Sequence, residues 1–345
     1  MRRDIISFWI GLIGLMGFVG ETKGQIPDFI VPDNGDFVSA IQAANTRNDF
    51  SRRYTIFVRR GTHLSQGTQE LIHTDVKTAD GTDSTIYFPS PIVKLVAPRV
   101  TIMGEGMDAT VVENRPVHEG IDITSTLFVD GADSTVIKDI TFLCNFQYNP
   151  MAFANRAVAL RERGCKGNRL QNVRLLSTQD TYYTNGGGDT TLDSCDIHGT
   201  VDFICGGGTV RFNSCTLYLE PRGRKGSRDV ICAPATNSDE LGYIFKNCII
   251  TGSPEQDGRY HLARPWRNQP TCVFLNTRMM LLPSADGYRE MHGTLPRLFA
   301  EYGSVDKDGN PVDCSLRKTL FKNKSGETVK VGYSPVLSET EMIKY

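Results

Sequence analysis

Two acidic side chains set the chemical question. Asp202 sits in the run Gly199-Thr200-Val201-Asp202-Phe203-Ile204, whose apolar neighbours make a carboxylate costly unless it is paired, neutralised or used. Alone, it reads equally as a solvated turn aspartate beside the glycines Gly206 to Gly208. Asp180, in Thr178-Gln179-Asp180-Thr181, precedes it by 22 residues, and Arg156 lies 24 residues before Asp180. Two carboxylates brought close cannot both ionise freely, so such a pair divides into an acid and a base or nucleophile. Arg264, in Ala263-Arg264-Pro265-Trp266, is a partner able to keep one carboxylate charged and oriented. Trp266 offers a flat aromatic face, and Gln179 an amide donor. These groups act together only if the fold gathers them.

A repeat supplies the means. The segments VIKDITF, RLQNVRL, TLDSCDI, VRFNSCTL, IFKNCII and VFLNTRM share an apolar pair, then Asp, Asn or Ser, then a second apolar alternation. Aligning them on Ile140, Val173, Cys195, Cys215, Cys248 and Thr277 gives spacings of 33, 22, 20, 33 and 29 residues. A unit of 20 to 22 residues lengthened by variable loops is a solenoid signature. The units hold short period-2 runs and no long amphipathic helix, which predicts an all-β, single-stranded right-handed parallel β-helix with short capping helices. Its coils stack about 4.8 Å apart. A 22-residue separation then places Asp180 and Asp202 on one face of neighbouring coils. Cys195, Cys215 and Cys248 fall at one phase, stacked as small buried residues, with a disulfide between adjacent coils geometrically open.

The ends also carry signals. Asp36 with Phe37, Ala40, Ile41 and Ala44 predicts a capped N-terminal helix, and Ser338 with Glu341 a capping box for a short last helix. Residues 66–98 read as a long insertion loop. Met1-Arg2-Arg3, an apolar stretch from Ile5 to Val19, and Gly24-Gln25 predict a secretory signal over residues 1–24, with a membrane anchor as the alternative. Residues 25–345 are then expected to form one mature domain, a monomer that is secreted or periplasmic.

An aspartate pair, a fixed arginine, amide donors and an aromatic platform on a solenoid describe a polysaccharide-processing site. The blocks QDT (Gln179 to Thr181), GTVDFI (Gly199 to Ile204) and RPW (Arg264 to Trp266), with AVALR from Ala157, resemble the pectin methylesterases (pectinesterases). The resemblance runs from Val31 to Gly303, and details around APATNSDELGY and FAEYGS look more like bacterial members. It implies that Asp202 attacks the C6 carbonyl of a methyl-esterified galacturonate. Asp180 would be general acid and then base, Gln179 an oxyanion donor, and Arg264 the group aiming Asp202. It implies no cofactor and no metal, and methyl-esterified pectin as the partner. Trp266, Tyr183, Phe203 and Tyr288 are expected to line the substrate groove. The chain departs from the family pattern at Arg156, where glutamine is usual, at Tyr182 for leucine, at Cys205 for an aromatic and at Gly287-Tyr288 for Gly-Trp. Arg156 as a donor, as a charge lowering the pKa of Asp180, and as a binder of an extra carboxylate are all open readings.

Composition narrows the classes. With 38 basic and 39 acidic residues the net charge is −1, so no basic footprint for nucleic acid is present. The nine cysteines show no zinc spacing. His198 reads as a coil-turn residue rather than a glycosidase histidine, and His63, His73, His118, His261 and His292 as scattered surface or packing residues. The triple glycines at 186–188 and 206–208 read as turns. The basic run from Pro221 to Arg228 reads as a solvated loop or a lure for an acidic product. Three functions follow: a methylesterase for homogalacturonan or another methylated uronate, a weakly catalytic pectin-binding protein, and a chain-cleaving β-helix enzyme. The last would need a calcium cluster or further catalytic acids beside the Asp180/Asp202 pair.

Overall fold

In the computed structural model the described residues are 26–66, 70–77, 83–90, 92–152, 154–222 and 229–345. The proposed signal segment and most of the basic run after Pro221 lie outside them. The chain winds into a right-handed parallel β-helix. Seventeen strands form one curled sheet and seven form a second, and within both the neighbouring strands come from successive turns of the chain.

The strand register reproduces the repeat phase. Ile140 pairs with Val173, and the pairs Arg174–Asp196, Asp196–Thr216, Thr216–Ile249 and Ile249–Arg278 carry the alignment one residue downstream of the aligned positions through every later coil. The Asp, Asn or Ser before each aligned position has a physical role. Asp139, Asn172, Ser194, Ser214, Asn247 and Asn276 all have φ between 52° and 57°, the left-handed corner that short polar side chains tolerate best. The Asn172 amide also donates to Asp139 at 2.7 Å, tying one corner to the next.

Inside the coils, like residues stack on like. Phe212, Phe245 and Phe274 lie face to face at centroid distances of 4.3 and 4.5 Å. Burying each is worth about 1.5–3 kcal/mol. Cys195, Cys215 and Cys248 form the expected buried column, and all nine cysteines are free thiols, eight of them buried. Cys232 and Cys272 approach to 3.3 Å between sulfurs.

Helix α1 (Phe37–Thr46) buries the four apolar positions read from the sequence, and the Asp36 carboxylate accepts the Ser39 N–H at 2.7 Å. Phe37 meets Phe142 edge to face at 6.2 Å, so the helix closes the first coils. At the other end a four-residue helix α2 (Glu339–Met342) forms behind its capping box. The insertion read as loop over 66–98 instead contains an antiparallel hairpin, Glu70–Lys77 with Asp83–Ser90, and Lys94–Leu95 is already the first strand of the seven-stranded sheet.

Candidate active site

The seven-stranded sheet carries the site. Its strands Tyr182–Asn185, Val201–Gly206, Val230–Pro234 and His261–Ala263 lie side by side. Tyr182 pairs with Ile204, and the two aspartates, each two residues earlier, occupy the same corner of adjacent coils. Both have left-handed backbones, φ 64° at Asp180 and 51° at Asp202, and both are buried. Such conformations on non-glycine residues cost energy and persist where the surrounding fold dictates them.

The opening puzzle of a carboxylate in an apolar strand is answered by a bulge. Register with the next coil holds at Val201–Val230, then shifts before resuming at Ile204–Cys232. The extra residue breaks the in–out alternation. Phe203 and Ile204 both enter the core, and Asp202 is left on the groove. Gly199 is required for this: a Cβ there would stand 2.2 Å from the Phe203 Cβ and 2.6 Å from the Thr178 carbonyl oxygen.

Arg264 reaches the site because its backbone N–H is donated to the Cys232 carbonyl at 3.0 Å, anchoring the segment to the previous coil. Its Nε donates to Asp202 Oδ1 at 2.8 Å and its Nη2 to Oδ2, a two-pronged fork on a carboxylate whose side chain is only 4% exposed. That pairing fixes the plane of the Asp202 carboxylate. Asp180 has no such fork. Burial, then the charge of Asp202, pushes its carboxyl well above the usual range, against opposing pulls from Arg156, the Cys205 thiol and Arg264. One carboxylate is thus forked and aimed, and the other is pushed toward its protonated form.

Gln179 sits beside Asp180 with its side-chain oxygen accepting the Asn155 N–H at 3.3 Å. A backbone N–H can only donate, so the amide atom facing it is oxygen and the amino group is left for another partner. Arg156 pairs with Gln179 across the coils, and its guanidinium grips Glu119 through Nε and Nη2, each at 2.7 Å.

The groove measures about 740 Å³ and is lined by Gln179, Asp180, Asp202, Arg156, Arg264 and Trp266, among others. Five sequence-predicted catalytic residues therefore share one cleft. Of the expected binding aromatics, Trp266 lines it and Tyr183 is half-buried beside it, their rings 6.3 Å apart. Phe203 and Tyr288 do not line it: each is 0% exposed and packed in the core, Phe203 turned inward by the bulge and Tyr288 against Phe299 at 5.3 Å. Tyr182 also points inward, its hydroxyl donated to buried Glu162. Sequence reasoning missed Glu119, Glu290 and Met291, which come from loops outside the repeat, and left His292 as a surface or packing residue although it lines the groove. His198 lies away from the groove on the strand Asp196–Gly199, not in a turn. Among the described residues no group of three or more His, Cys, Asp or Glu is arranged to hold a metal ion.

A paired-aspartate groove on a right-handed parallel β-helix defines the class. The pectinesterase family model matches residues 82–327, and the chain belongs to the pectinesterase family. Pectinesterase 1 of Olea europaea is 33% identical over 160 residues, 45% of this chain and 41% of that protein. The chain spans about half the length, or less, of the curated relatives it matches. The pectin methylesterase from carrot superposes with a TM-score of 0.69 at 19% identity, covering 94% of this chain and 92% of that one. The pectin methylesterase PemA from Erwinia chrysanthemi gives 0.67 at 18%, covering 93% and 96%. At these identities the structural likeness establishes the fold.

Proposed function

We propose that this chain hydrolyses the C6 methyl esters of galacturonate in homogalacturonan, giving pectate and methanol. The observation that carries the reading is the asymmetry of the aspartate pair: Asp202 forked by Arg264, and Asp180 buried beside it without a fork. Asp202 attacks the ester carbonyl carbon, and the amino group of Gln179 donates to the oxygen that becomes negative. Arg156, beside Gln179, is the second donor. Collapse of the tetrahedral intermediate breaks the C–O bond to methoxide, which takes the Asp180 proton and leaves as methanol. The acyl group is then an anhydride on Asp202. Asp180, now ionised, removes a proton from water, which attacks that anhydride and returns both aspartates to their starting states. Trp266 and Tyr183 supply aromatic faces for sugar rings.

A methyl-esterified polymer is an extracellular substrate, and the reading includes removal of residues 1–24 during export and a secreted or periplasmic monomer of residues 25–345. The measurement is methanol release from highly methylated homogalacturonan by the purified protein and by Asp202→Ala. Release by the parent and its loss in the folded variant supports the reading. Reducing ends or unsaturated products would mark chain cleavage instead. Binding without release would mark a pectin-binding protein, and release only from another methylated uronate would move the substrate.

A further inference from the structure

An arginine beside a catalytic acid poses a problem. A fixed positive charge near Asp180 favours its ionised form, whereas the first step of the proposed reaction consumes its proton. The groove holds a counter-charge. Glu119, in the segment before the strand Leu127–Asp130, lines the groove and accepts Nε and Nη2 of Arg156 at 2.7 Å each. The Glu119 carboxylate also takes the Arg156 backbone N–H at 3.3 Å, and the Arg156 carbonyl takes the Gly120 N–H at 2.8 Å. Four contacts therefore lock this segment to the Arg156 coil. The fork leaves Nη1 as the guanidinium nitrogen available to a substrate oxygen.

We propose that Glu119 is a positioning residue for the reaction: it clamps Arg156 at the groove wall and cancels its charge, so that the arginine donates to substrate without stripping the proton from Asp180. This rests on the esterase reading. The other charged or titratable groups around Asp180 are accounted for. Asp202 is answered by Arg264 and Glu290 by Lys318 at 3.2 Å, and Asp122, which pulls on Arg156, is paired with Arg161 at 2.9 Å. Cys205 is a buried thiol that Asp180 and Asp202 help keep protonated, and His292 also lines the groove. Glu119 is the carboxylate that meets Arg156 directly.

The test compares the full-length protein with Glu119→Gln, Arg156→Gln and the double variant. Glu119→Gln leaves Arg156 uncompensated, so the alkaline limb of the kcat/KM profile for methanol release moves to lower pH. The shift expected is on the order of one pH unit, about tenfold in rate on that limb. Adding Arg156→Gln returns the limb toward the parent position, a rescue that a merely structural Glu119 would not show. The second readout needs no turnover: infrared difference titration of the protonated-carboxyl band, assigned by its loss in Asp180→Asn. The band should titrate at lower pH in Glu119→Gln and recover in the double variant. An unmoved limb or band in a folded Glu119→Gln protein, or a shift that persists in the double variant, overturns the proposal. Absence of methanol release by the parent would overturn the esterase reading alone, and the infrared titration would still decide the role of Glu119.

Discussion

At the scale of single residues the site trades stability for reactivity. Asp180 is held in a left-handed backbone, buried, and set against the Asp202 charge. Asparagine tolerates that backbone and removes the conflict of charge. Asp180→Asn is therefore expected to reduce methanol release by at least about 10²-fold, the usual contribution of a general acid, and to raise the melting temperature in the same buffer. A fall in both would make Asp180 a structural residue. The clustering of Asp180, Asp202, Gln179, Arg156 and Arg264 was legible because a repeat converts sequence spacing into distance. Phe203 and Tyr288 were misplaced because nothing in the letters marks the bulge at Asp202 or the inward turn of the Tyr288 segment. Glu119 was illegible for another reason: its partner lies 37 residues away, and its segment carries no repeat motif.

Between neighbouring coils, side chains link strand to strand, and His198 is the clearest titrating example. It stacks on Tyr218 at 4.5 Å and contacts Asp196 at 3.0 Å and Glu220, one coil on, at 2.8 Å. Burial pulls its pKa down, but the two carboxylates outweigh burial and lift it to about 8. A folded pKa above the unfolded value of about 6.5 means stability fully present below that pH and lost as pH rises through the folded value. The melting-temperature advantage of the parent over His198→Gln should thus be largest in mildly acidic buffer and fade above about pH 8. A constant difference across that window would leave only packing. The corner residues of the coils were readable as Asp, Asn and Ser at one phase. The pairing of Glu70–Lys77 with Asp83–Ser90 was not, because among the described residues these strands pair with each other alone and carry no phase of the solenoid.

For the whole molecule, the question is how a stack of identical layers stops. Helix α1 covers one end. At the other, the Leu298–Tyr302 strand is met by the tail, with the Glu301 N–H donated to Pro335 and the Leu337 N–H donated to Glu301 at 2.9 Å each. Beneath them Arg317 grips Glu301, Nε to Oε1 at 2.6 Å, with side chains 2% and 1% exposed. Arg317→Ala leaves a buried carboxylate without its cation and is expected to cost about 3–5 kcal/mol in denaturant unfolding. A loss below about 1 kcal/mol would mean that water reaches the pair. The stack also governs how this chain can diverge. Its repeat spacings range from 20 to 33 residues because turns between the strands take up extra length. The strand positions beside Asp180 and Asp202 are different, since a residue inserted or deleted within the strand itself turns one carboxylate away from the other. Length variation across descendants of this gene is therefore free at the turns and frozen within these strands, so the register of the strands beside two aspartates is itself a ruler for whether chemistry has been kept.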